Sequence, residues 1–184
     1  MKHSLGAKNC LYPLPTTLVG THVDGKPNYS AIAHVGVIAM HHVSISVNKR
    51  HYSNAGIIAN ACFSVNIPSV DLLRETDYCG LVSGRDVDKS ALFDTFYGEL
   101  DAAPMIVECA VNMECALART LDFETHDVFV GRVVQTYCEE RFLTDGALDL
   151  SKVQPLLFSM PDRSYWSIGT RTAKAWDAGK DLKS

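Results

Sequence analysis

Thr17-Leu18-Val19-Gly20-Thr21-His22-Val23, then Asp24-Gly25, then Lys26-Pro27-Asn28-Tyr29-Ser30-Ala31-Ile32-Ala33-His34-Val35 is the stretch that decides the fold. Thr17 to Val23 alternates and is rich in β-branched residues, as a half-buried strand is. Asp24-Gly25 is a strong hairpin signal, because a two-residue turn that matches strand twist needs positive φ at both positions. A return strand is therefore expected from about Pro27. Period 2 places Asn28, Ser30 and His34 on one face and Tyr29, Ala31, Ala33 and Val35 on the other. Such a polar row either meets water or lines a ligand site, and the strand alone leaves both open.

The same pattern recurs on either side. Val43, Ile45 and Val47 alternate with Ser44, Ser46 and Asn48 and predict a third strand. Arg50-His51-Tyr52-Ser53 leads into a short helix over about Asn54–Asn60, with Ser53 placed either to cap it or to bind an anion. Cys62–Ile67 predicts a strand with Phe63, Val65 and Ile67 inward. Pro68 ends it, and Ser69 caps a helix running to about Asp77. A further helix is expected over about Asp86–Phe93 and a loop over residues 94–104. From Cys109 to Asp122 the odd positions are mostly apolar and the even ones include Asn112 and Glu114, a half-buried strand. Glu124–Asp127 turns the chain. Val128–Cys138, apolar on both faces, returns as a more central strand. Asp145-Gly146 is another turn, Ser164–Ile168 a last short strand, and Thr170–Ser184 a helical tail. Upstream, Leu11–Pro15 is a stiff, extended lead-in. The chain is thus expected to be mainly β and antiparallel with inserted helices, one domain over residues 1–184 with its core at about 12–168. A closed or nearly closed barrel is the economical way to remove edge strands.

One stretch stands out chemically. Tyr78-Cys79-Gly80-Leu81-Val82-Ser83-Gly84-Arg85-Asp86-Val87-Asp88-Lys89 combines glycines, a hydroxyl and two cations. Glycine lets backbone approach a ligand, and a helix N-terminus with Arg85 and Lys89 beside it suits a phosphate. The order GxxxxGK[ST] of a Walker loop is absent. The competing reading is a capped loop between two surface helices.

Bulk properties narrow the classes. The 184 residues carry a net charge of −4 and 47% hydrophobic residues, as a soluble globular chain does. No basic stripe appears, so nucleic acid is not expected as a partner. No apolar run approaches a membrane span, and no h-region follows Met1. Without an export signal, the six cysteines read as reduced thiols of a cytoplasmic protein. The seven histidines lack HExxH or Cys/His spacing, and adjacent His41 and His42 would point to opposite faces of a strand, so no metal is expected. GxSxG is absent, and Cys79 reads better as packing than as a nucleophile. Glu75 with Asp77, Asp86 with Asp88, and Glu139 with Glu140 read as solvated or capping charges. GxGxxG is missing, so a nicotinamide would have to bind without a Rossmann module.

From about Tyr12 to Ile168 the chain resembles the flavin reductase-like family, which includes flavoredoxins. Leu18-Val19-Gly20-Thr21 with Pro27-Asn28-Tyr29-Ser30-Ala31 carries the likeness first. Arg50-His51-Tyr52-Ser53 with Phe63-Ser64-Val65-Asn66-Ile67-Pro68 carries it second, and Asp77-Tyr78-Cys79-Gly80 through Lys89 third. Val111–Cys115 and His126–Gly131 add to it. Ser30 and Ser53 stand where threonine is common in the family, and His34 where many relatives have tryptophan.

The resemblance implies an FMN-binding split β-barrel, usually a homodimer. It implies that Asn28 and Ser30 approach the flavin ring, with Ala31 in the same segment. Asn48, Arg50 and Ser53 would follow the ring edge toward the phosphate, and Ser83, Gly84 and Lys89 would hold the phosphate or ribityl chain. His126 and either Tyr165 or Trp166 would lie near the ring, and Arg50 or Lys49 would tune its potential. FMN needs an anion clamp, hydrogen bonds to its pyrimidine edge and an apolar flank, which those residue types supply. The implied function is an FMN-dependent oxidoreductase taking electrons from NADH, NADPH or a reduced carrier. The acceptor would be free flavin, ferric iron or a protein. A flavoredoxin-like electron carrier or non-catalytic flavin module is the alternative, and a split barrel holding haem a more distant one.

Overall fold

A computed structural model describes residues 1–182. Its strands are β1 (Leu14–Pro15), β2 (Thr17–Val23), β3 (Lys26–Ile32), β4 (Val35–Ala39), β5 (His42–Asn48), β6 (Cys62–Ile67), β7 (Thr95–Phe96), β8 (Met105–Ile106), β9 (Val111–Asp122), β10 (His126–Cys138), β11 (Leu143–Thr144), β12 (Ala147–Leu148), β13 (Leu157–Ser159) and β14 (Ser164–Trp166). The helices are α1 (Ser53–Asn60), α2 (Leu73–Leu81) and α3 (Leu150–Val153).

The β2–β3 hairpin forms as its sequence dictates. Asp24 and Gly25 both take positive φ, 51° and 75°, and Val23 pairs with Lys26. The seven-stranded sheet then runs β3-β2-β6-β9-β10-β5-β4, antiparallel throughout. Its two edge strands, β3 and β4, are separated by only Ala33 and His34. A sheet whose first and last strands are joined by two residues must curl back on itself. β3 comes to lie beside β5 with no ladder between them, and this makes the barrel a split one. The His34 carbonyl accepts from the Ser46 N–H at 2.8 Å and bridges the seam. Val19, Ile32, Ile45, Val47, Ile57, Phe63, Val65, Cys115 and Phe129 fill the interior. A separate three-stranded sheet, β1-β13-β14, forms beside it.

Local expectation fails where tertiary contacts intervene. The even face of β9 is solvated only in its second half, from Ala118 onward; at its start Asn112 and Glu114 are both buried. The segment carrying β7 and β8 folds back over that face. Glu114 accepts from the Glu99 and Leu100 N–H groups at 3.0 and 2.8 Å and from the Tyr137 hydroxyl at 2.8 Å. Asn112 donates to Asn66 Oδ1 and to the Ile106 carbonyl, both at 2.8 Å. Alternation within one strand does not register a loop that returns from elsewhere.

No helix forms over Asp86–Phe93 beyond a 3₁₀ turn at Ser90–Leu92. Asp88 instead accepts from the Ser90 N–H and hydroxyl, the competition with helix typical of aspartate. α2 runs on to Leu81 instead of ending at Asp77, and so absorbs Tyr78-Cys79-Gly80. β14 stops at Trp166. The tail from Thr170 has turns and a 3₁₀ turn at Lys180–Leu182 but no α-helix. It has no buried face to stabilise one, and isolated short helices are marginal. Lys183 and Ser184 lie outside the described residues. Among the described residues no helix is long and apolar enough to cross a membrane.

Candidate functional site

A groove runs along the barrel seam, where β3, β5 and the turn after β5 face α2 and the three-stranded sheet. Its inner part is a chamber of about 350 Å³. It opens into a cleft of about 170 Å³, which shares His51, Gly80 and Leu81 with it. An outer recess of about 310 Å³ meets the cleft at Tyr52, Gly84 and Lys89. The polar row of the return strand lines all three compartments: Asn28 the recess, Ser30 the cleft and His34 the chamber. The ligand-site reading of that row fits this geometry, although β3 ends at Ile32 and the chain bends before His34.

The cleft is built on Lys89. Its side chain is 3% exposed, and its Nζ donates to the carbonyls of Cys79 and Val82 at 3.3 and 3.2 Å. It thereby caps the C-terminal end of α2, where free carbonyls and the helix dipole favour a cation. An ammonium has three donors, so one N–H is left over. None of the three ion pairs among the described residues involves Lys89. Burial pushes its pKa down, and the neighbouring Cys79 thiol opposes the shift. Ser83 adds a second free donor, because its oxygen accepts from the Arg85 N–H at 3.2 Å and its own O–H stays unused. Arg50 also lines the cleft and enters none of those ion pairs.

Gly84 lets this loop approach the barrel. A Cβ there would fall 2.0 Å from Asn28 Oδ1 and 2.9 Å from the Tyr52 ring. The close approach is thus to β3 itself. Gly84→Ala is expected to cost about 1–3 kcal/mol, as overpacking does, read as a lower urea midpoint. Adding Asn28→Ala should relieve most of it, and a double mutant no more stable than Gly84→Ala would refute the clash.

Ser53 departs from its expected capping role. The N-cap of α1 is Tyr52, with no side-chain cap bond. Ser53 is fully buried, accepts from Asn28 Nδ2 at 2.9 Å and shares a 2.7 Å hydrogen bond with the Ser30 hydroxyl. It lies beneath the groove wall and positions Asn28 and Ser30. Asn48 lines the chamber, and its Oδ1 accepts from the Arg50 N–H at 3.0 Å. That turn carries His51 into the groove. Burial lowers the pKa of His51, and Lys89 and His126 lower it further.

Ala31, His126 and Tyr165 line the chamber as well. The His34 and His126 rings stand 6.2 Å apart, and Tyr12 hydrogen-bonds His34 Nε2 at 3.2 Å. Burial depresses the pKa of His34, with His126 adding to it. Tyr165 donates to Asp77 at 2.9 Å and ties β14 to α2. Desolvation, with that bond to Asp77, pushes its hydroxyl up to about 12. Two expected residues lie elsewhere. Lys49 pairs with Asp122 on the outside of the barrel, and Trp166, 53% exposed, lines none of the three compartments. Trp166 follows Tyr165 on a strand, so the two point to opposite faces. Cys79 is packing: burial pushes its thiol up to about 11 despite Lys89.

His51, Thr16 and Asp77 belong to the groove without having been singled out for it. His51 sat inside the Arg50–Ser53 motif, and its orientation depends on the Asn48 turn. Thr16 and Asp77 reach the chamber only through tertiary packing. Among the described residues no group of three His, Cys, Asp or Glu is placed to hold a metal ion.

Comparison with known proteins adds the following. A family model described as "Flavin reductase like domain" matches residues 9–162. The flavoredoxin structure from Methanosarcina acetivorans is 46% identical, covers 99% of both chains and superposes with a TM-score of 0.96. That of the flavoredoxin of Desulfovibrio vulgaris (Miyazaki F) is 34% identical over 98% of this chain and 100% of the other, with a TM-score of 0.90. An FMN-binding protein from Thermus thermophilus, with bound 1-cyclohex-2-enone, shares the fold at 22% identity, 95% and 97% coverage and a TM-score of 0.79.

Proposed function

The chain belongs to the flavin reductase-like domain family, and from that premise we propose that it binds FMN and passes electrons through it. The observation that carries the proposal is Lys89. A buried ammonium with a free N–H and no paired carboxylate, in a cleft continuous with an apolar chamber, asks for an anionic group attached to a ring. The residues present fit FMN on that ground. Lys89, Ser83 and the Gly84 backbone would hold the phosphate, and Ser30, Ala31 and Asn48 would border the ring. When bound, FMN supplies hydride and single-electron transfer. The protein's own part is to bind, orient and exclude water. Arg50, on the wall of the cleft that leads from the chamber, would place a cation toward the ring edge and so favour negative charge there. His34 and His51, whose pKa values burial lowers, present imidazoles able to hold or release a proton at the chamber.

NADH, NADPH or a reduced carrier is the proposed donor, and free flavin, ferric iron or a protein the acceptor. The oxidoreductase reading and the carrier reading separate in one assay. The protein reconstituted with FMN should be yellow and bleach with dithionite; colourless protein after excess FMN would sink the proposal. Rapid NADH or NADPH oxidation then identifies a reductase, and tight FMN without it a carrier. Likeness to two flavoredoxin structures at 46% and 34% identity favours keeping the second reading open. A homodimer joined near β4 is part of the proposal. That edge strand exposes Val37 and Ile38, with Met40 beyond it, and unpaired apolar edges seek partners. Its measurement is the native mass in solution. The six unpaired thiols support a cytoplasmic setting.

A further inference from the structure

On the reading that the chamber receives a flavin ring, we propose that Asp77 holds down the ring's reduction potential by placing a carboxylate at the chamber wall. Asp77 lies on α2 and borders the chamber and none of the other cavities. Its Oδ1 accepts from the Tyr165 hydroxyl at 2.9 Å, a bond from α2 to β14 that fixes the side chain there. Oδ2 has no protein partner, and Asp77 enters none of the three ion pairs among the described residues. Oδ2 is also absent from the buried polar atoms that lack a partner, which are Thr16 Oγ1, Asn54 Oδ1 and Thr76 Oγ1. Asp77 is partly exposed, so this oxygen is accessible, and the chamber is the cavity it borders.

Charge separates the two parts of the groove. Arg50 and Lys89 line the cleft, whereas the chamber wall has Asp77 as its one carboxylate and neither lysine nor arginine. The other titratable groups at the chamber are His34, His51, His126 and Tyr165. Burial lowers the pKa of His34 and His51, and the Tyr165 hydroxyl is pushed up to about 12, so none of the three offsets the carboxylate in mildly alkaline solution. A ring that fills the chamber displaces water, and Coulomb interactions strengthen as the local dielectric falls. The flavin ring gains negative charge when it takes up electrons. A carboxylate beside it therefore disfavours the reduced ring and leaves the neutral oxidised ring largely unaffected. Arg50 and Asp77 act in opposite senses, the first toward holding electrons and the second toward passing them on.

The test uses Asp77→Asn, which removes the charge and keeps an oxygen to accept from Tyr165, and Asp77→Glu, which keeps the charge. Each protein is titrated anaerobically with oxidised and with reduced FMN and riboflavin at pH 8, where histidine, with an ordinary pKa of about 6.5, is neutral. Asp77→Asn is expected to tighten binding of the reduced form about tenfold relative to the oxidised form. For a two-electron couple that raises the midpoint potential by about 30 mV. The shift should be the same for FMN and riboflavin, which share the ring, and Asp77→Glu should stay near wild type. A merely structural role would weaken both redox forms together and leave their ratio unmoved. An unmoved ratio in Asp77→Asn, or an equal shift in Asp77→Glu, overturns the assignment. Wild-type protein that binds no flavin overturns the underlying reading instead, which separates the two failures.

Discussion

Lys89→Met is expected to weaken FMN binding tenfold or more while leaving riboflavin binding nearly unchanged. Methionine keeps the buried stem of the side chain and removes only the charge and its donors. A charge-assisted hydrogen bond contributes about 1.5–3 kcal/mol, or roughly 10–150-fold in affinity. Riboflavin has the same ring and ribityl chain without the phosphate, so it reports everything except the contact in question. The substitution also releases the Cys79 and Val82 carbonyls. Removing a desolvated, unpaired ammonium offsets that loss, and the ligand-free protein should stay within about 1 kcal/mol of wild type. Titration of both ligands against both proteins gives the answer. Equal losses for FMN and riboflavin would falsify the phosphate assignment. The pKa of Lys89, held down by burial, should rise when an anion arrives, so FMN affinity should decline at high pH more steeply than riboflavin affinity.

What the sequence reveals of this site follows from where its forces act. The Asp24-Gly25 turn and the alternation in β2, β3, β5 and β6 are local, and their bounds emerge to within a residue or two except at the far end of β3, which stops at Ile32 short of His34 and Val35. The polar row Asn28, Ser30, His34 is local as well, and it lines the whole groove. Resemblance brought Lys89 and Gly84 to the site, but not their mechanisms. Lys89 closes a helix end ten residues behind it, and Gly84 makes room for Asn28 on another element. The expected helix over Asp86–Phe93 gives way to the Asp88–Ser90 turn, from which Lys89 points back to α2. Ser53 has a hydroxyl beside a helix start, and that is a cap on every local criterion. Only the three-dimensional neighbourhood of Asn28 and Ser30 diverts it. Thr16 carries no signal in sequence, because it reaches the chamber only through tertiary packing.

Glu114→Ala is expected to produce the largest loss of stability, about 3–5 kcal/mol, read as a fall in the urea midpoint. The carboxylate is fully buried with no cation among its partners, and it is held by the Glu99 and Leu100 N–H groups and the Tyr137 hydroxyl. Removing it strips three part-buried donors of their acceptor and leaves a void beneath the covering segment. Gly98 shows how tightly the turn closes on it: a Cβ there would lie 2.4 Å from Glu114 Oε1 and 2.2 Å from the Tyr137 hydroxyl. Glu114→Gln isolates the acceptor requirement. Oε1 serves two donors and Oε2 serves the Leu100 N–H, so a side-chain amide must face one backbone N–H with a donor of its own. Its cost should be intermediate, about 1–3 kcal/mol. The damage should reach the ligand site weakly and by a defined route. The covering segment leads back through Thr95, whose hydroxyl shares a 2.8 Å bond with Tyr29, and Phe93, which meets the Tyr29 ring edge-on at 5.5 Å. Tyr29 lies between Asn28 and Ser30. Under conditions where Glu114→Gln is fully folded, its FMN affinity should therefore fall by less than that of Lys89→Met, and FMN and riboflavin should fall together. A selective loss of FMN in Glu114→Gln would mean that the covering segment, and not the Lys89 charge, sets the phosphate site.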